Sequence, residues 1–326
     1  MNYNDTICVT YFDKNYLLKG LALQASLSKH NPNIRLWILC FDKYTKDFLN
    51  KLNLSGVTAI ALKDFEDSKL LAVKDDRTKV EYCWTSTPSL PLYVFKKDKK
   101  VNKIIYLDAD LFFYSSITPA IKELGKKSIY TVKHRYPKEE KHRENVSGIF
   151  NVGFQIFKRD KESLKCLRRW RKQCLDWCYF REEDGKLGDQ MYLNEWPQRY
   201  KSLVISKNLG VDAAPWNIRQ YKVTSKNRNT YINNDKLMCY HFHQFDIISE
   251  NDFSFCKGYN LSRAVVKNIY TPYVKEIKRQ IKIVKSINGS FKINKKTQSL
   301  PIKLRDLISK YFGPQIWKIK SYVFKK

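Results

Sequence analysis

Short β-prone runs alternate with segments of helical periodicity at the start of the chain. Residues 6–11 (TICVTY) predict a strand, residues 16–28 place leucines at helical spacing, and residues 36–41 (LWILCF) predict a second strand. A third strand is predicted at residues 57–62. Strand, helix and strand joined by short connections indicate a parallel sheet with helices on its faces. The pattern therefore predicts an α/β fold.

The pattern continues with less regular spacing. Further strands are predicted at residues 103–107, 129–134, 151–157 and 237–243, and further helices at residues 84–95, 161–178 and 187–196. The helix at 84–95 is expected to have Pro88 in its first turn, where a proline is tolerated. Residues 64–79 are charged and irregular, which predicts a loop.

Beyond residue 260 the composition becomes strongly basic. Residues 263–326 hold 17 lysines and arginines against two acids, and helices are predicted at 273–285 and 302–324. Apolar residues among lysines are typical of a helix at an anionic membrane surface. The alternative is an ordinary helix packed on the domain with a solvated basic face. We therefore expect a domain at 1–260 and a basic amphipathic helical tail at 261–326, a candidate membrane-association region.

Charge and cysteine content narrow the protein class. The chain has 61 basic and 32 acidic residues, so an anionic partner is expected. Its eight cysteines form no CxxC pairs, as expected for reduced thiols in a cytoplasmic protein. No signal-peptide pattern precedes the first strand, and no apolar run approaches the length of about 18 residues that spans a bilayer. We expect a cytoplasmic protein, peripheral on the inner face of the cell membrane.

Two aspartates carry the main chemical signal. Asp108 and Asp110 follow the predicted strand at 103–107 and are separated by one residue. Side chains two positions apart project to the same side of an extended chain, and ligands bind beyond the carboxyl ends of strands in open α/β sheets. Two carboxylates between KIIYL and LFFY are costly to bury without a cation. This predicts a Mn²⁺ or Mg²⁺ site, with a pair of turn or capping aspartates as the alternative.

Two histidines follow near the end of the predicted domain. His241 and His243 occupy alternate positions in the strand predicted at 237–243, which places them on one face. We predict His241 as a third metal ligand, because an imidazole would favour Mn²⁺ over Mg²⁺. We assign His243 to a phosphate or acceptor contact.

Four segments in order resemble a GT-A-fold glycosyltransferase of family 8, the group of bacterial lipopolysaccharide galactosyl- and glucosyltransferases and glycogenin. They are residues 6–16 (TICVTYFDKNY), 106–113 (YLDADLFF), 150–157 (FNVGFQIF) and 188–190 (GDQ). The resemblance covers residues 3–250, and the late histidine strand completes it. It implies a mixed sheet flanked by helices and transfer of a hexose from a nucleotide-sugar, a UDP-sugar by preference. It further implies retention of configuration and a glycan or glycolipid acceptor, such as a lipopolysaccharide or another surface polysaccharide.

The resemblance also implies roles for individual residues. Thr10, Tyr11 and Asp13 are expected to contact the base and ribose of the nucleotide-sugar. Asp108 and Asp110 would bind the nucleotide-sugar through the metal. His243 would make the phosphate or acceptor contact assigned to it above. Asn151 would lie near the transferred sugar or acceptor, and Asp189 and Gln190 would face the anomeric centre. In an inverting reaction Asp189 would be the candidate general base. Residues 208–217 resemble an acceptor-side loop, with Trp216 placed to stack on a sugar.

The chain departs from the family pattern in its phosphate-binding groups. The family's His-x-x-Gly-x-Lys-Pro-Trp segment, whose lysine reaches the diphosphate, is absent, since QFD follows His243. An arginine often found before the first motif aspartate falls at Pro91. Other cations must neutralise the diphosphate, and the candidates are Arg77, Lys79 and Arg219.

Other functions fit the sequence less well. A nucleic-acid-binding protein would carry zinc pairs, an RNA-recognition signature or a helix-turn-helix. The sequence shows none of these motifs in a form that would explain the two aspartates. We therefore expect no nucleic acid partner. A nucleotidyltransferase would need a glycine-rich loop near the first strand. Residues 10–20 contain a single glycine, Gly20, which comes too late for such a loop. A non-catalytic carbohydrate-binding relative would tolerate loss of the aspartates, which are intact here.

Overall fold

A computed structural model describes residues 3–293, which form a mixed α/β fold. The strands are β1 (Thr6–Phe12), β2 (Arg35–Cys40), β3 (Val57–Ala61), β4 (Lys103–Leu107), β5 (Leu111–Phe113), β6 (Ile129–Lys133), β7 (Phe150–Lys158), β8 (Leu203–Ile205), β9 (Val223–Lys226), β10 (Asn229–Ile232), β11 (Asp235–Lys236), β12 (Cys239–His241), β13 (Asp246–Ile247) and β14 (Phe253–Ser254). The α-helices are α1 (Leu17–His30), α2 (Lys43–Leu52), α3 (Leu62–Phe65), α4 (Ser68–Lys74), α5 (Lys79–Ser86), α6 (Ser89–Lys97), α7 (Thr118–Leu124), α8 (Glu144–Ser147), α9 (Lys161–Asp176), α10 (Trp196–Arg199), α11 (Arg263–Val265) and α12 (Thr271–Ile287). Short 3₁₀ helices cover Lys138–Arg143, Met191–Glu195 and Ile218–Gln220, and Val266–Tyr270 is a π-helix.

The central sheet has seven strands in the order β3-β2-β1-β4-β7-β6-β8. Strands β3, β2, β1 and β4 are parallel, β7 is antiparallel to both of its neighbours, and β6 and β8 are parallel. A separate two-stranded ladder pairs β5 with β12. The predicted mixed sheet flanked by helices is confirmed.

Both faces of the sheet are buried, because side chains alternate along each strand. In β1, Cys8 packs into the layer that contains α1 and α12, whereas Ile7 and Val9 pack into the layer that contains α6 and α9. Burial of a leucine-sized side chain contributes roughly 1.5–3 kcal/mol, so these two layers hold the strand ends in fixed positions.

The prediction of a loop at residues 64–79 is wrong. The segment contains the second half of α3 and all of α4, anchored by buried Phe65 and Leu70. Asp67 caps α4 by accepting from the Leu70 amide at 3.1 Å. A capping box between Thr78 and Glu81 then starts α5. Charged residues in this segment therefore cap helices.

The single helix predicted at 84–95 is also wrong. Two helices, α5 and α6, cover this region, and Pro88 lies at the N-cap of α6. Proline lacks an amide hydrogen, so it separates the two helices. The helix predicted at 187–196 is a 3₁₀ turn, Met191–Glu195, followed by α10.

The first part of the predicted basic tail is helical. Helix α12 packs its apolar side, including Tyr273, Ile277 and Ile281, into the same core as α1, while its lysines face outward. The helix predicted at 302–324 lies outside the described residues, and the boundary at residue 260 stays a prediction. Within residues 3–293, none of the helices combines the length and apolar character needed to cross a bilayer.

Candidate functional site

The two motif aspartates follow β4 in a tight turn. The amide of Leu111 donates to the carbonyl of Asp108 at 3.1 Å, so the segment is turned rather than extended as the sequence predicted. Asp110 is buried, whereas the side chain of Asp108 is 29% exposed. Tyr106 donates its hydroxyl hydrogen to Asp108 Oδ1 at 2.8 Å. Both carboxylates therefore lie at the carboxyl end of β4, where the two aspartates were expected.

Strand pairing brings His241 to these carboxylates. β12 pairs antiparallel with β5 so that His241 lies opposite Leu111. His241 Nε2 is 3.1 Å from Asp110 Oδ1 and 3.8 Å from Asp108 Oδ2. One atom from each of the three side chains lies within 4.8 Å of the others. Two carboxylates and one imidazole at this spacing form a donor set suited to a divalent cation such as Mn²⁺.

The charges of this cluster compensate one another. Burial disfavours the charged form of His241, but Asp110 and Asp212 on its two ring nitrogens raise the pKa of His241 well above its usual value. Burial opposes ionisation of Asp110 too, yet His241 and Lys19 hold the pKa of Asp110 well below its usual range. Burial raises the pKa of Asp108 to about 6. A metal bound at Nε2 would take the place of the imidazolium proton, because a histidine ligand is neutral.

Asp212 is a site residue that the sequence analysis missed. Its side chain is completely buried, and His241 Nδ1 lies 3.2 Å from its Oδ1. Asp212 has a left-handed φ of 54°, and Arg135 donates to the carbonyls of Val211 at 2.6 Å and Asp212 at 3.1 Å. The Asp212 carboxylate on Nδ1 fixes the imidazole so that Nε2 points to Asp110 and Asp108. The sequence did contain a signal for this role, because Asp212 is the only acid in the apolar run LGVDAAPW. A carboxylate buried in such a run needs a polar or charged partner.

Gly153 permits the close approach of β7 to this cluster. A Cβ atom at residue 153 would lie 2.7 Å from Asn151 Oδ1 and 2.8 Å from His241 Nδ1. The Gly153 carbonyl also accepts from the Asp108 amide at 2.9 Å. The glycine of the NVG motif is therefore required by its close contact with His241.

Asn151 and Gln190 belong to one hydrogen-bond network. Asn151 Nδ2 donates to Gln190 Oε1 at 3.1 Å and lies 3.3 Å from His134 Nε2. His134 Nδ1 lies 2.8 Å from the Gly148 carbonyl, so Nδ1 is the donor and Nε2 accepts from Asn151. Burial lowers the pKa of His134 to about 4, which keeps the ring neutral. His134, which the sequence analysis did not single out, thereby fixes the orientation of the Asn151 amide.

Asp189 lies next to this network. It is buried, and its backbone carbonyl accepts from Trp170 Nε1 at 2.8 Å. Burial raises the pKa of Asp189 to about 7. A hydrogen bond with Thr87 opposes this rise in pKa, and the negative charge of Asp108 adds to it. Tyr11 contacts the same threonine, with 3.1 Å between the two hydroxyl oxygens. Asp189 and Tyr11, near the end of β1, therefore share Thr87 as a partner.

The three residues expected at the nucleotide lie in β1 and just after it. Thr10 is fully buried in the sheet. The Tyr11 ring packs against Phe41 at 5.4 Å between centroids. Asp13 accepts from the backbone amide of Asn15 and from Lys79 Nζ, so its carboxylate organises the turn that precedes α1.

His243 and Trp216 occupy different environments from those predicted. β12 ends at His241, so His243 lies in the following turn, with 6.3 Å between the two imidazole centroids. Trp216 is buried against both histidine rings and donates Nε1–H to the His134 carbonyl at 3.0 Å. The prediction that Trp216 stacks on a sugar is therefore wrong, because its ring is enclosed in the core of the site.

The three cations suggested for the diphosphate are engaged elsewhere. Arg77 pairs with Asp76 and stacks on Tyr179, with 3.8 Å from the guanidinium carbon to the ring centroid. Lys79 pairs with Asp13 at 2.5 Å. Arg219 pairs with Glu139 at 2.7 Å and with Glu140 at 3.1 Å. None of these four ion pairs involves Asp108 or Asp110.

Comparison with known proteins identifies the family. The sequence model of glycosyl transferase family 8 matches residues 7–284. The chain belongs to glycosyl transferase family 8. This family 8 protein is therefore a glycosyltransferase, as the ordered motifs predicted, and the matched region includes the carboxylate turn, the NVG strand and His241.

Relatives and solved structures are consistent with this assignment. The glycosyltransferase is 31% identical to YfnD of Bacillus subtilis strain 168 over 86% of its own length and 92% of that protein, which is described as uncharacterized. It is 29% identical to the uncharacterized YfnF of the same organism, over 74% of its own length and 82% of YfnF. It also resembles the galactosyltransferase LgtC, solved in complex with donor and acceptor sugar analogues, with 14% identity and a TM-score of 0.50 over 92% of this chain and 99% of LgtC. This likeness shows the GT-A fold.

Proposed function

We propose that the protein is a metal-dependent hexosyltransferase that uses a UDP-sugar and binds Mn²⁺, or Mg²⁺, through Asp108, Asp110 and His241. The convergence of these three donor groups carries the proposal. When bound, the cation supplies a Lewis acid that neutralises the nucleoside diphosphate as it leaves. Buried Asp212 supports this assignment, because it fixes the ring orientation that a histidine ligand requires.

We assign the ends of β1 and β7 to the donor. Thr10, Tyr11 and Asp13 would contact the base and ribose, and Asn151 would lie near the transferred sugar. Asp189 and Gln190 would face the anomeric centre, a placement supported by the hydrogen bond from Asn151 to Gln190.

We propose retention of anomeric configuration, as family membership implies. In an inverting reaction Asp189 would serve as general base, and its pKa of about 7 suits that role. NMR of the product anomer distinguishes the two outcomes. His243, close to Asp110, is assigned to a phosphate or acceptor contact.

For the acceptor we propose a glycan or glycolipid of the cell surface, such as a lipopolysaccharide or another polysaccharide. The basic composition of residues 263–326 supports binding at an anionic membrane on its cytoplasmic side. Removing residues 300–326 should release the protein from liposomes that contain anionic lipid. Unchanged liposome binding of the shortened protein would contradict this proposal.

The central experiment is a screen of UDP- and GDP-sugars for Mn²⁺-dependent hydrolysis and thermal stabilisation. Asp110→Ala should abolish both effects while the protein stays folded. Asp47→Ala, which removes an exposed carboxylate paired with Lys43, is the matched control and should behave as wild type. Retained metal-dependent activity in Asp110→Ala would contradict the metal assignment.

A further inference from the structure

Lys19 is a buried lysine at the edge of the carboxylate cluster. It lies in the first turn of α1, and its side chain is 9% exposed. Its Nζ is 4.0 Å from Asp110 Oδ2 and 4.5 Å from the centroid of the Tyr16 ring. Lysine is rarely buried to this extent without an anionic partner, because removing an ammonium from water is costly. The position of Lys19 is therefore determined by negative charge at the site.

Asp110 places Lys19 beside the metal-binding position. Its Oδ1 faces His241 Nε2 at 3.1 Å, and its Oδ2 faces Lys19. The ammonium and the metal-binding groups thus share one carboxylate. A diphosphate bound at the metal would carry more negative charge than the Asp110 carboxylate, which lies 4.0 Å from Lys19 Nζ. Because Lys19 Nζ lies 4.0 Å from one oxygen of a metal-binding carboxylate, an anion bound at the metal would lie near the ammonium.

We propose that Lys19 binds the diphosphate of the sugar donor and stabilises it as the leaving group. This inference rests on the proposed function. In the reaction, the bond between the anomeric carbon and the β-phosphate oxygen breaks, and its electron pair stays on that oxygen. The acceptor hydroxyl oxygen forms the new bond to the anomeric carbon, and its proton passes to the departing diphosphate oxygen. Lys19 donates hydrogen bonds to the phosphate oxygens and keeps its own protons, so its contribution is electrostatic.

Binding of UDP, UMP and uridine in saturating Mn²⁺ tests the proposal by calorimetry. Lys19→Met should weaken UDP binding by about 10- to 100-fold, the range for losing a hydrogen bond to a charged group. It should weaken UMP less and leave uridine unchanged. Lys19→Arg should recover much of the UDP affinity. The matched control is Lys29→Met, which removes an exposed lysine about 15 Å further along α1 and should change none of the three affinities.

Two results would overturn the role of Lys19. Equal UDP affinity in wild type and Lys19→Met would show that the lysine makes no phosphate contact. Equal losses for UDP and uridine would show that Lys19 only supports the fold around Asp110. If a thermal melt shows that Lys19→Met is not folded, the ratio of the UDP affinity to the uridine affinity is measured in Lys19→Gln instead. A wild-type protein that binds no UDP with Mn²⁺ would refute the proposed donor itself, a different outcome from selective loss in the variant.

Discussion

Substitution of Asp212 tests whether its carboxylate orients His241, the proposed third metal ligand. Asp212→Asn keeps an oxygen that can accept from His241 Nδ1 at the observed distance of 3.2 Å, but it removes the negative charge. Asp212→Ala removes both the acceptor and the charge. The two variants therefore separate the electrostatic contribution of Asp212 from its orientation of the ring.

The expected magnitude follows from the geometry. Loss of a partner behind a metal-bound histidine lowers metal affinity by about 10- to 100-fold, which corresponds to about 1.4–2.7 kcal/mol. The loss of metal affinity in Asp212→Asn should lie near the lower end of this range, because the imidazole keeps its orientation. The loss in Asp212→Ala should lie near the upper end, because the ring is then free to turn. Asp212 Oδ2 lacks a partner among the described residues, so neutralising this carboxylate should not unfold the metal-free protein.

Mn²⁺ affinity is measured without nucleotide, by calorimetry or from the EPR signal of free Mn²⁺. Asp160→Asn is the control, since Asp160 caps α9 beyond the far end of β7 and asparagine caps helices equally well. Wild-type Mn²⁺ affinity in a folded Asp212→Ala protein would show that Asp212 does not orient His241 for metal binding. A similar loss in Asp160→Asn would assign the effect to general destabilisation.

Two further predictions concern neighbouring residues. Gly153→Ala should weaken Mn²⁺ binding and lower the free energy of unfolding by about 1–3 kcal/mol, because its Cβ would overlap Asn151 and His241. Gly289→Ala, whose Cβ would contact nothing within 4 Å, is the control, and equal stability of the two variants in urea would contradict the prediction. For His134, the folded pKa of about 4 lies below the unfolded value of about 6.5, so the unfolded state binds more protons between these pH values and stability falls as pH falls. His134→Gln should reduce this loss by about 1–3 kcal/mol in urea unfolding from pH 7 to pH 4.5, and an unchanged slope would contradict the assignment.

The parts of the fold that local sequence determines were predicted correctly. β1 and β4 are buried runs of five to seven residues, and their composition alone distinguishes them from helices. Asp108 and Asp110 were identified because uncompensated carboxylates between apolar residues are costly. Their turned conformation was not predicted, because a short motif between two strands has no periodicity of its own.

Features that depend on tertiary contacts were not predicted. The helices at residues 62–74 are too short for a clear period, and their stability depends on caps and on buried Phe65 and Leu70. Lys19 lies on a helix that the sequence predicted, but its pairing with Asp110 across 91 positions has no local signal. Asp212 lies in a left-handed conformation beside His241, and Arg135 donates to the carbonyls of Val211 and Asp212, contacts that the local sequence does not reveal.

The proposed metal site depends on the register of β12 against β5, and packing of the aromatic core favours that register. His241 lies opposite Leu111, whereas its neighbours Tyr240 and Phe242 point to the other side, into the layer that contains α12. Phe242 stacks on Tyr273 of α12, with 3.6 Å between ring centroids. A shift of one residue would put Phe242 at the carboxylates and bury His241 among aromatic rings, so the shift is strongly disfavoured. Helix α12, from the strongly basic end of the chain, therefore stabilises the position of His241, the proposed ligand.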